Sequence, residues 1–284
     1  MKVSEAIRWG MKELETVGIE RPLVDVRLLL AHAISQSLQR ILAEDEIELS
    51  ESQWDLFQSF MSRRADREPY AYIVGEKEFF GLSISVTPDV LIPRPETESL
   101  VEKFLEQIKA LNIKSGRILD LGTGSGAIAL ALASKLPKTF EIIGIDFSQR
   151  ALDCAKQNQR KLGIENLRFE YCDYIQNPES LIQLASENSF ESLWIANPPY
   201  IPRIAFSQLE PEIRDHEPRE ALDGGEEGLD FYFSILNSYE KTSPTPALLA
   251  FETMGPWQNE KIRVLIDKRK SIFTEGPLFF VSPI

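Results

Sequence analysis

The chain has 284 residues, 43% hydrophobic and 26% charged, with 15 Gly and 17 Pro, and this apolar fraction excludes wholesale disorder and collagen-like or low-complexity classes. Lys and Arg number 31 against 44 Asp and Glu, a formal net charge of -13. Such a molecule is repelled on average by phosphate backbones and anionic membranes, so binding nucleic acid would need a local concentration of base.

The length fits roughly two domains. No run of about 18 apolar residues is present to span a bilayer, and Met1-Lys2-Val3-Ser4-Glu5 lacks the charged-then-apolar plan of a secretory signal. Two Cys (Cys154, Cys172) and two His (His32, His216) are too few for a disulfide scaffold or a structural zinc site. A reducing cytoplasm is the expected home, with no bound metal.

Residues 1 to about 68 read as a small helical bundle. Val3, Ile7, Met11 and Leu14 recur at helical spacing, and Val24 and Leu28 to Ala31 follow Pro22, which suits a first helical turn. Ser50-Glu51-Ser52-Gln53 has the form of a capping box, and Trp54, Phe57, Phe60 and Met61 behind it form an aromatic stripe expected in the bundle core. Tyr72-Ile73-Val74, Glu78-Phe79-Phe80 and Leu82 to Val86 then read as short strands turning at Gly75 and Gly81. The expected division is a helical domain over 1–70, a linking β-hairpin over 71–90 and an α/β domain over 91–284.

From about Glu96 a helix (Leu100, Val101, Phe104, Leu105, Ile108) precedes an alternation of strands and helices. Strands are expected at Arg117 to Leu121, Phe140 to Ile145, Leu167 to Tyr171, Ser192 to Ala196 and Ala247 to Phe251, with Ser148 capping one intervening helix. This alternation predicts a parallel sheet covered on both faces. Lys268-Arg269-Lys270 reads as the basic last turn of a helix. Two apolar runs, Ser271 to Phe273 and Leu278 to Val281, then read as a hairpin added to the sheet edge.

Two segments carry chemistry. In Ile118-Leu119-Asp120-Leu121-Gly122-Thr123-Gly124-Ser125-Gly126-Ala127 a strand runs into a glycine turn that opens a helix. The glycines let a ligand approach the backbone, and the helix N-terminus offers free N–H donors. Gly122, Gly124 and Ala127 fit a dinucleotide fingerprint, with Asp146 about 20 residues on to take a ribose hydroxyl. The same layout serves S-adenosylmethionine, and Asp120 favours that choice, since a carboxylate there disfavours a pyrophosphate and can receive a methionyl ammonium.

The second segment is Ser192 to Tyr200, ending in Asn197-Pro198-Pro199-Tyr200 at the carboxyl end of the fourth strand, where open α/β sheets bind ligands. The two prolines make a stiff turn that lacks backbone N–H groups and leaves carbonyls free. The Asn oxygen and a proline carbonyl then present two acceptors to one –NH₂ group, and Tyr200 offers a flat face. An amide or aromatic amine nitrogen is a poor nucleophile because its lone pair is delocalised. Acceptors on both N–H bonds enrich it, and alignment with an electrophilic methyl at about 3–3.5 Å supplies the rest. A third segment, Leu91-Ile92-Pro93-Arg94-Pro95-Glu96-Thr97-Glu98, reads equally as helix capping or as part of a site. Asp173-Tyr174 follows the third strand, where Tyr174 can stack on an adenine. Pro202 to Gly228, rich in Glu and Pro, is expected to form a lip over the site.

With these residues the sequence resembles the protein-(glutamine-N5) methyltransferases that modify peptide chain release factors (HemK/PrmC type). The resemblance rests on Pro69 to Gly75, Phe79-Phe80-Gly81, Ile92 to Glu98, Asp120 to Gly126, Asp146, Asn197 to Tyr200, Glu217-Pro218-Arg219 and Ala221-Leu222. It implies a Rossmann-like class I S-adenosylmethionine-dependent methyltransferase domain behind a helical domain that helps recognise the release factor. The acceptor implied is the glutamine amide of the Gly-Gly-Gln motif in a class 1 release factor, and no stable nucleic-acid or membrane partner is expected of what is expected to be a monomer. Carried onto this chain, Gly122, Thr123, Gly124, Ser125 and Gly126 would line the methionine and ribose. Asp146 would take the ribose hydroxyls, and Tyr174 would lie by the adenine where Trp is common in the family. Asn197 and Pro198 would grip the amide, with Asn197 also beside the donor, and Pro199 and Tyr200 would shape the pocket. The segment Phe273 to Ile284 departs from the family in lacking an Asp-Xaa-Xaa-Gly-Xaa-Xaa-Arg pattern.

Rival readings are an adenine-N6 methyltransferase acting on nucleic acid, which would use the same acceptors on a flipped base, a NAD(P)-dependent oxidoreductase and a silent binding module. The acidic balance and the absence of a basic recognition domain disfavour the first. The second lacks a placed proton donor, and nothing structural would require Asn197 to Tyr200 in the third.

Overall fold

The computed structural model describes residues 1–44, 46–186, 191–242, 244, 246–266 and 270–283. The chain divides into two compact units, Met1–Glu76 with Glu210–His216, and Lys77–Leu209 with Glu217–Ile284.

The first unit is helical. It contains α1 (Val3–Thr16), α2 (Pro22–Ala33), α3 (Leu38–Ala43), α4 (Glu51–Ala65) and α5 (Tyr70–Val74). Pro22 opens α2 as expected, and the Ser50 box forms as read, with the Gln53 N–H donating to Ser50 Oγ at 3.2 Å and the Ser50 N–H to Gln53 Oε1 at 2.9 Å. Val3, Leu14, Val26, Leu30, Phe57 and Met61 form its core. The aromatic stripe packs there too, with Trp9 and Trp54 edge to face at 4.9 Å. Val24, however, is exposed, and Val26 is the buried member of that turn. Tyr72-Ile73-Val74 is not a strand, because its backbone continues the short helix α5, whose Gly75 cap takes a φ of +78°. Aromatic and β-branched composition favours a strand only weakly, and the buried Ala71, Tyr72 and Ile73 are better placed on one helical turn.

The segment 210–216 belongs to this helical unit. Glu212 accepts from Arg64 at 3.1 Å and from Arg67 at 3.3 Å, and Arg64 also donates to Asp25 at 2.7 Å. The middle of the expected lip over 202–228 is thus held among the charges of the helical unit.

The second unit opens with a hairpin, β1 (Glu76–Phe79) and β2 (Leu82–Ser85). Phe80, read as strand, is instead a turn residue with φ +53°, followed by Gly81 at +78°. Two successive positive φ values are what a tight two-residue hairpin turn demands. Helices α6 (Pro95–Ala110), α7 (Ala127–Lys135), α8 (Gln149–Leu162), α9 (Pro178–Ser186), α10 (Pro211–His216, in the helical unit), α11 (Asp230–Lys241) and α12 (Pro256–Arg263) alternate with β3 (Gly116–Leu121), β4 (Phe140–Asp146), β5 (Leu167–Tyr171), β6 (Ser192–Ala196) and β7 (Leu248–Glu252). The chain closes with β8 (Lys270–Glu275) and β9 (Leu278–Pro283). Among the described residues the sheet order is β5-β4-β3-β6-β7-β9-β8. The first five strands are parallel, while β9 runs antiparallel to β7 and to β8. This is the predicted Rossmann-like sheet, and its terminal hairpin forms without the family's usual pattern because Phe279 and Val281 still alternate inward. Lys270 begins β8 and does not end a helix, whereas Lys268 and Arg269 lie outside the described residues.

Every residue of β3 is buried, as a central parallel strand requires. Leu119, Leu121, Ile143, Ile145, Trp194 and Phe251 pack with α9, α11 and α12 on one face. The strand order reverses at β3, which has β4 on one side and β6 on the other, so the carboxyl ends of these three strands form the crevice where such sheets bind ligands.

Gly144 sits in β4 beside Asp120 in register, and a Cβ there would stand 2.5 Å from the Phe169 ring and 2.6 Å from Thr123 Oγ1. Gly144→Ala is therefore expected to destabilise the protein by about 1–3 kcal/mol through overpacking. Urea denaturation checks this as a lower midpoint at unchanged slope.

Candidate active site

The glycine turn follows β3. Gly122, Gly124 and Gly126 all have positive φ (+74°, +55° and +81°), so the turn needs residues without a Cβ penalty. The N–H groups of Gly122 and Thr123 both donate to Ile145 O at 2.9 Å, clamping the turn to β4. Asp146 ends β4 and joins two turns, with Oδ2 accepting from the Gly124 N–H and Oδ1 from the Ser148 N–H, each at 2.9 Å. Burial pushes its carboxyl above the usual range, and these backbone donors oppose the shift. Each oxygen keeps lone-pair capacity for a further donor.

Asp120 is fully buried on the opposite face of β3 from the Leu119 cluster. Its Oδ2 accepts from Thr123 Oγ1 at 2.6 Å and from the Ala129 N–H at 3.1 Å. Its Oδ1 is buried with no partner among the described residues. Desolvation raises its pKa to about 7, against the pull of those two donors. Behind the turn, Asn158 of α8 donates to Ser125 O and Ser85 O and accepts from the Ser85 N–H, pinning the glycine turn and β2 together.

Asn197 leaves β6. Its Nδ2 donates to Thr97 Oγ1 at 2.9 Å, and its Oδ1 is buried without a partner among the described residues. Thr97 lies in the first turn of α6 and donates to Glu252 Oε2 at 2.6 Å. Tyr200 Oη donates to Glu252 Oε1 at 3.2 Å, and the Tyr200 carbonyl accepts from Gln258 at 3.0 Å. Burial raises the pKa of both Glu252 and Tyr200. Nearby, Arg94 pairs with the buried Glu217, which also accepts from the Ile92 N–H. The run from Ile92 to Glu98 thus caps α6 and at the same time supplies a partner for Asn197.

A cleft of about 550 Å³, including its open mouth, lies over these strand ends, within the usual range for small-ligand sites. Gly122, Gly124, Asp146, Tyr174, Asn197 and Pro199 line it. Thr123, Ser125 and Gly126 do not: the first holds Asp120, the second has its carbonyl tied to Asn158, and the third packs against Phe169 and Ala155. Pro198 is buried next to the lining. Tyr174 is 2% exposed and part of the hydrophobic core, so it forms a wall of the cleft and presents little open ring face. Tyr200 is half-buried with its hydroxyl turned inward to Glu252. Phe147 lines the cleft and escaped the sequence reading, as did Glu252 behind it, whereas Leu91 in the lining and Thr97 behind it fall in the segment that reads equally as capping or as part of a site. Only adjacency signalled them, Phe147 by following Asp146 and Glu252 by following the strand expected to end at Phe251. Glu220 and Ala221 line the cleft from the expected lip.

A model of the PrmC N-terminal domain matches residues 5–75, and a methyltransferase-domain model matches residues 113–211. The hMettl16 catalytic domain, solved in complex with MAT2A 3′UTR hairpin 1, superposes with a TM-score of 0.53 at 14% identity, over 84% of this chain and 82% of that one; the likeness concerns the fold. The sheet, the glycine turn and these matches define a methyltransferase. The release factor glutamine methyltransferase of Thermodesulfovibrio yellowstonii is 40% identical over 224 residues, covering 79% of this chain and 77% of that protein. The one from Moorella thermoacetica is 38% identical over 266 residues, covering 93% and 89%. The chain belongs to the release factor glutamine methyltransferase family.

Asp120 has a stability consequence with a definite sign. Its folded pKa lies above its unfolded value of 3.8, so native Asp120 prefers its proton, and ionisation opposes folding increasingly from about pH 4 to pH 7. Asp120→Asn is therefore expected to stabilise the ligand-free protein at pH 8, by up to about 4 kcal/mol, and to change it little at pH 4. Denaturation midpoints of the two proteins at both pH values check this.

Proposed function

We propose that this enzyme transfers a methyl group from S-adenosylmethionine to the side-chain N5 of the glutamine in the Gly-Gly-Gln motif of class 1 peptide chain release factors, acting as a cytoplasmic monomer. When bound, the donor supplies an electrophilic methyl carbon. Its site would be the cleft over β3 and β4. A Cβ on Gly124 would meet no protein atom within 4 Å, and one on Gly122 would meet only Tyr174 Oη at 3.8 Å. Both glycines therefore border space where a ligand backbone can lie. Asp146 has the capacity to accept from ribose hydroxyls, and the unpartnered Asp120 Oδ1 suits an ammonium group.

The observation that carries the reading is the orphaned Asn197 Oδ1. A buried acceptor without a donor is costly, and a carboxamide –NH₂ is the donor that the rigid Asn197-Pro198 turn fits. The Pro198 carbonyl supplies the second acceptor in this reading, so both N–H bonds of the substrate amide end on protein oxygens. That pairing moves electron density onto nitrogen and holds it at a fixed height above the glycine turn. No strong base need act first, because the N–H proton becomes acidic only as nitrogen gains its methyl group. Pro199 and Tyr200 close the sides of the amide slot.

An adenine amino group could meet the same acceptors, but the net charge of -13 gives a phosphate backbone no average attraction. Relatives that match over most of the chain carry the release factor name.

Mass spectrometry of the tryptic Gly-Gly-Gln peptide, after incubating release factor with enzyme and donor, is expected to show the added mass of one methyl group on glutamine. Tritium transfer from labelled donor is expected to reach release factor and not an adenine-containing oligonucleotide, and the reverse would overturn the assignment. Asn197→Ala is expected to fold and to bind donor, yet to lose at least about a hundredfold in kcat, on the scale of removing one transition-state hydrogen-bond partner. Steady-state kinetics with a donor-binding titration checks this.

A further inference from the structure

An Asn side chain has two ends of nearly equal shape and opposite chemistry, one oxygen acceptor and one –NH₂ donor. A slot for a substrate –NH₂ works only if the oxygen faces it. The Asn-Pro-Pro-Tyr turn does not settle which way the amide of Asn197 points, so something behind it must.

The structure contains a string of hydrogen bonds with a single direction. Glu252, at the end of β7, is 2% exposed and as a carboxylate can only accept. It accepts from Tyr200 Oη on Oε1 and from Thr97 Oγ1 on Oε2. A threonine hydroxyl has one proton. With that proton committed to Glu252 at 2.6 Å, only lone pairs of Thr97 Oγ1 remain to meet Asn197. Nδ2 can donate to them, and does so at 2.9 Å. The flipped amide would set Oδ1 against those lone pairs and leave its own –NH₂ in the acceptor's place. Thr97 is itself only 4% exposed and lies outside the cleft lining, so it has no direct route to a ligand.

We propose that Thr97, held by Glu252, is the positioning residue that fixes the Asn197 amide with its oxygen presented to the substrate nitrogen. The inference rests on the methyl-transfer reading for its effect on rate, but the orientation itself is a property of the free protein. A methyl in place of the hydroxyl keeps the shape and removes the direction. A serine keeps the direction with one methyl fewer.

The test pairs kinetics with the side-chain amide signal of Asn197 in the free protein, assigned through its loss in Asn197→Ala. In the wild type the Asn197 –NH₂ protons are expected to show contacts to the Thr97 methyl and slow exchange with solvent. In Thr97→Val exchange is expected to quicken at least about tenfold, with kcat falling at least about tenfold while donor affinity and the KM for release factor stay within about twofold. Thr97→Ser is expected to restore both the slow exchange and kcat to within about threefold of wild type. Wild-type –NH₂ protons lacking contact with Thr97 would overturn the proposal, whether or not the valine variant folds. So would unchanged kcat in Thr97→Val, or Thr97→Ser as impaired as valine. If the amide signal behaves as expected and the wild type methylates no release factor, the substrate reading fails and the orientation stands.

Discussion

Polar groups at the carboxyl ends of buried parallel strands must find partners without water, and the site is built from the way four of them do so. Asp120, Asp146, Asn197 and Glu252 stand at or just beyond the ends of β3, β4, β6 and β7. Each is held by an element other than its own strand: α7 for Asp120, the glycine turn for Asp146, α6 for Asn197 and Glu252. A central strand cannot lend its own backbone groups, because the ladder on both sides has used them. The connecting loops supply donors, and in doing so they take fixed positions over the sheet. What the loops leave unpaired is as informative as what they pair. Asp120 Oδ1 and Asn197 Oδ1 are buried acceptors without donors among the described residues, and each such atom is destabilising unless a ligand completes it.

That imbalance sets stability against function within one constellation. Burial raises the pKa of Asp120, Asp146, Glu217 and Glu252 alike, so in the ligand-free site burial works against the charge on each of these carboxyl groups. Compensation comes from apolar packing beneath them. Trp194 meets Tyr239 and Tyr232 meets Phe251 edge to face in the same layer, with the Tyr232 hydroxyl also donating to the Glu252 carbonyl at 2.6 Å. Such packing holds the strand ends in place under the site, and the alignment a methyl transfer needs depends on that placement.

The sheet was readable because short apolar runs alternate with helical segments from Arg117 to Phe251, and burial on both faces is what turns the strands into such runs. The glycine turn and the Asn-Pro-Pro-Tyr turn were readable because their backbones admit few alternatives. Tyr72 to Val74 was not, since three apolar residues carry no period, and tertiary burial decided for helix. The hydrogen bonds from Asn197 to Thr97 and on to Glu252 were invisible for a different reason. Thr97 and Glu252 each fit a bland local role, a helix first turn and a strand end, and their hydrogen bonds join positions that sequence spacing does not relate. Tyr174 shows the converse. Adjacency to the third strand singled it out and it lines the cleft, but only the packing around it reveals that its ring is enclosed by core.

Fold alone does not choose the acceptor. The hMettl16 catalytic domain, similar to this chain in fold, was solved in complex with MAT2A 3′UTR hairpin 1, so the fold by itself does not separate a base from a peptide amide. Two physical differences separate them. A base brings phosphates, whose attraction requires clustered Lys and Arg, whereas this chain is strongly acidic. A base also brings a broad ring that must lie flat on an open aromatic face. Here the hydroxyl of Tyr200 is tied inward to Glu252 and its carbonyl to Gln258, which holds the ring in one setting. A glutamine side chain is narrow and flexible, and flanking glycines let its backbone come close to a rigid rim. It asks of the site only a slot of acceptors with one orientation, and in the proposed reading the directed hydrogen bonds from Asn197 through Thr97 to Glu252 would supply that orientation.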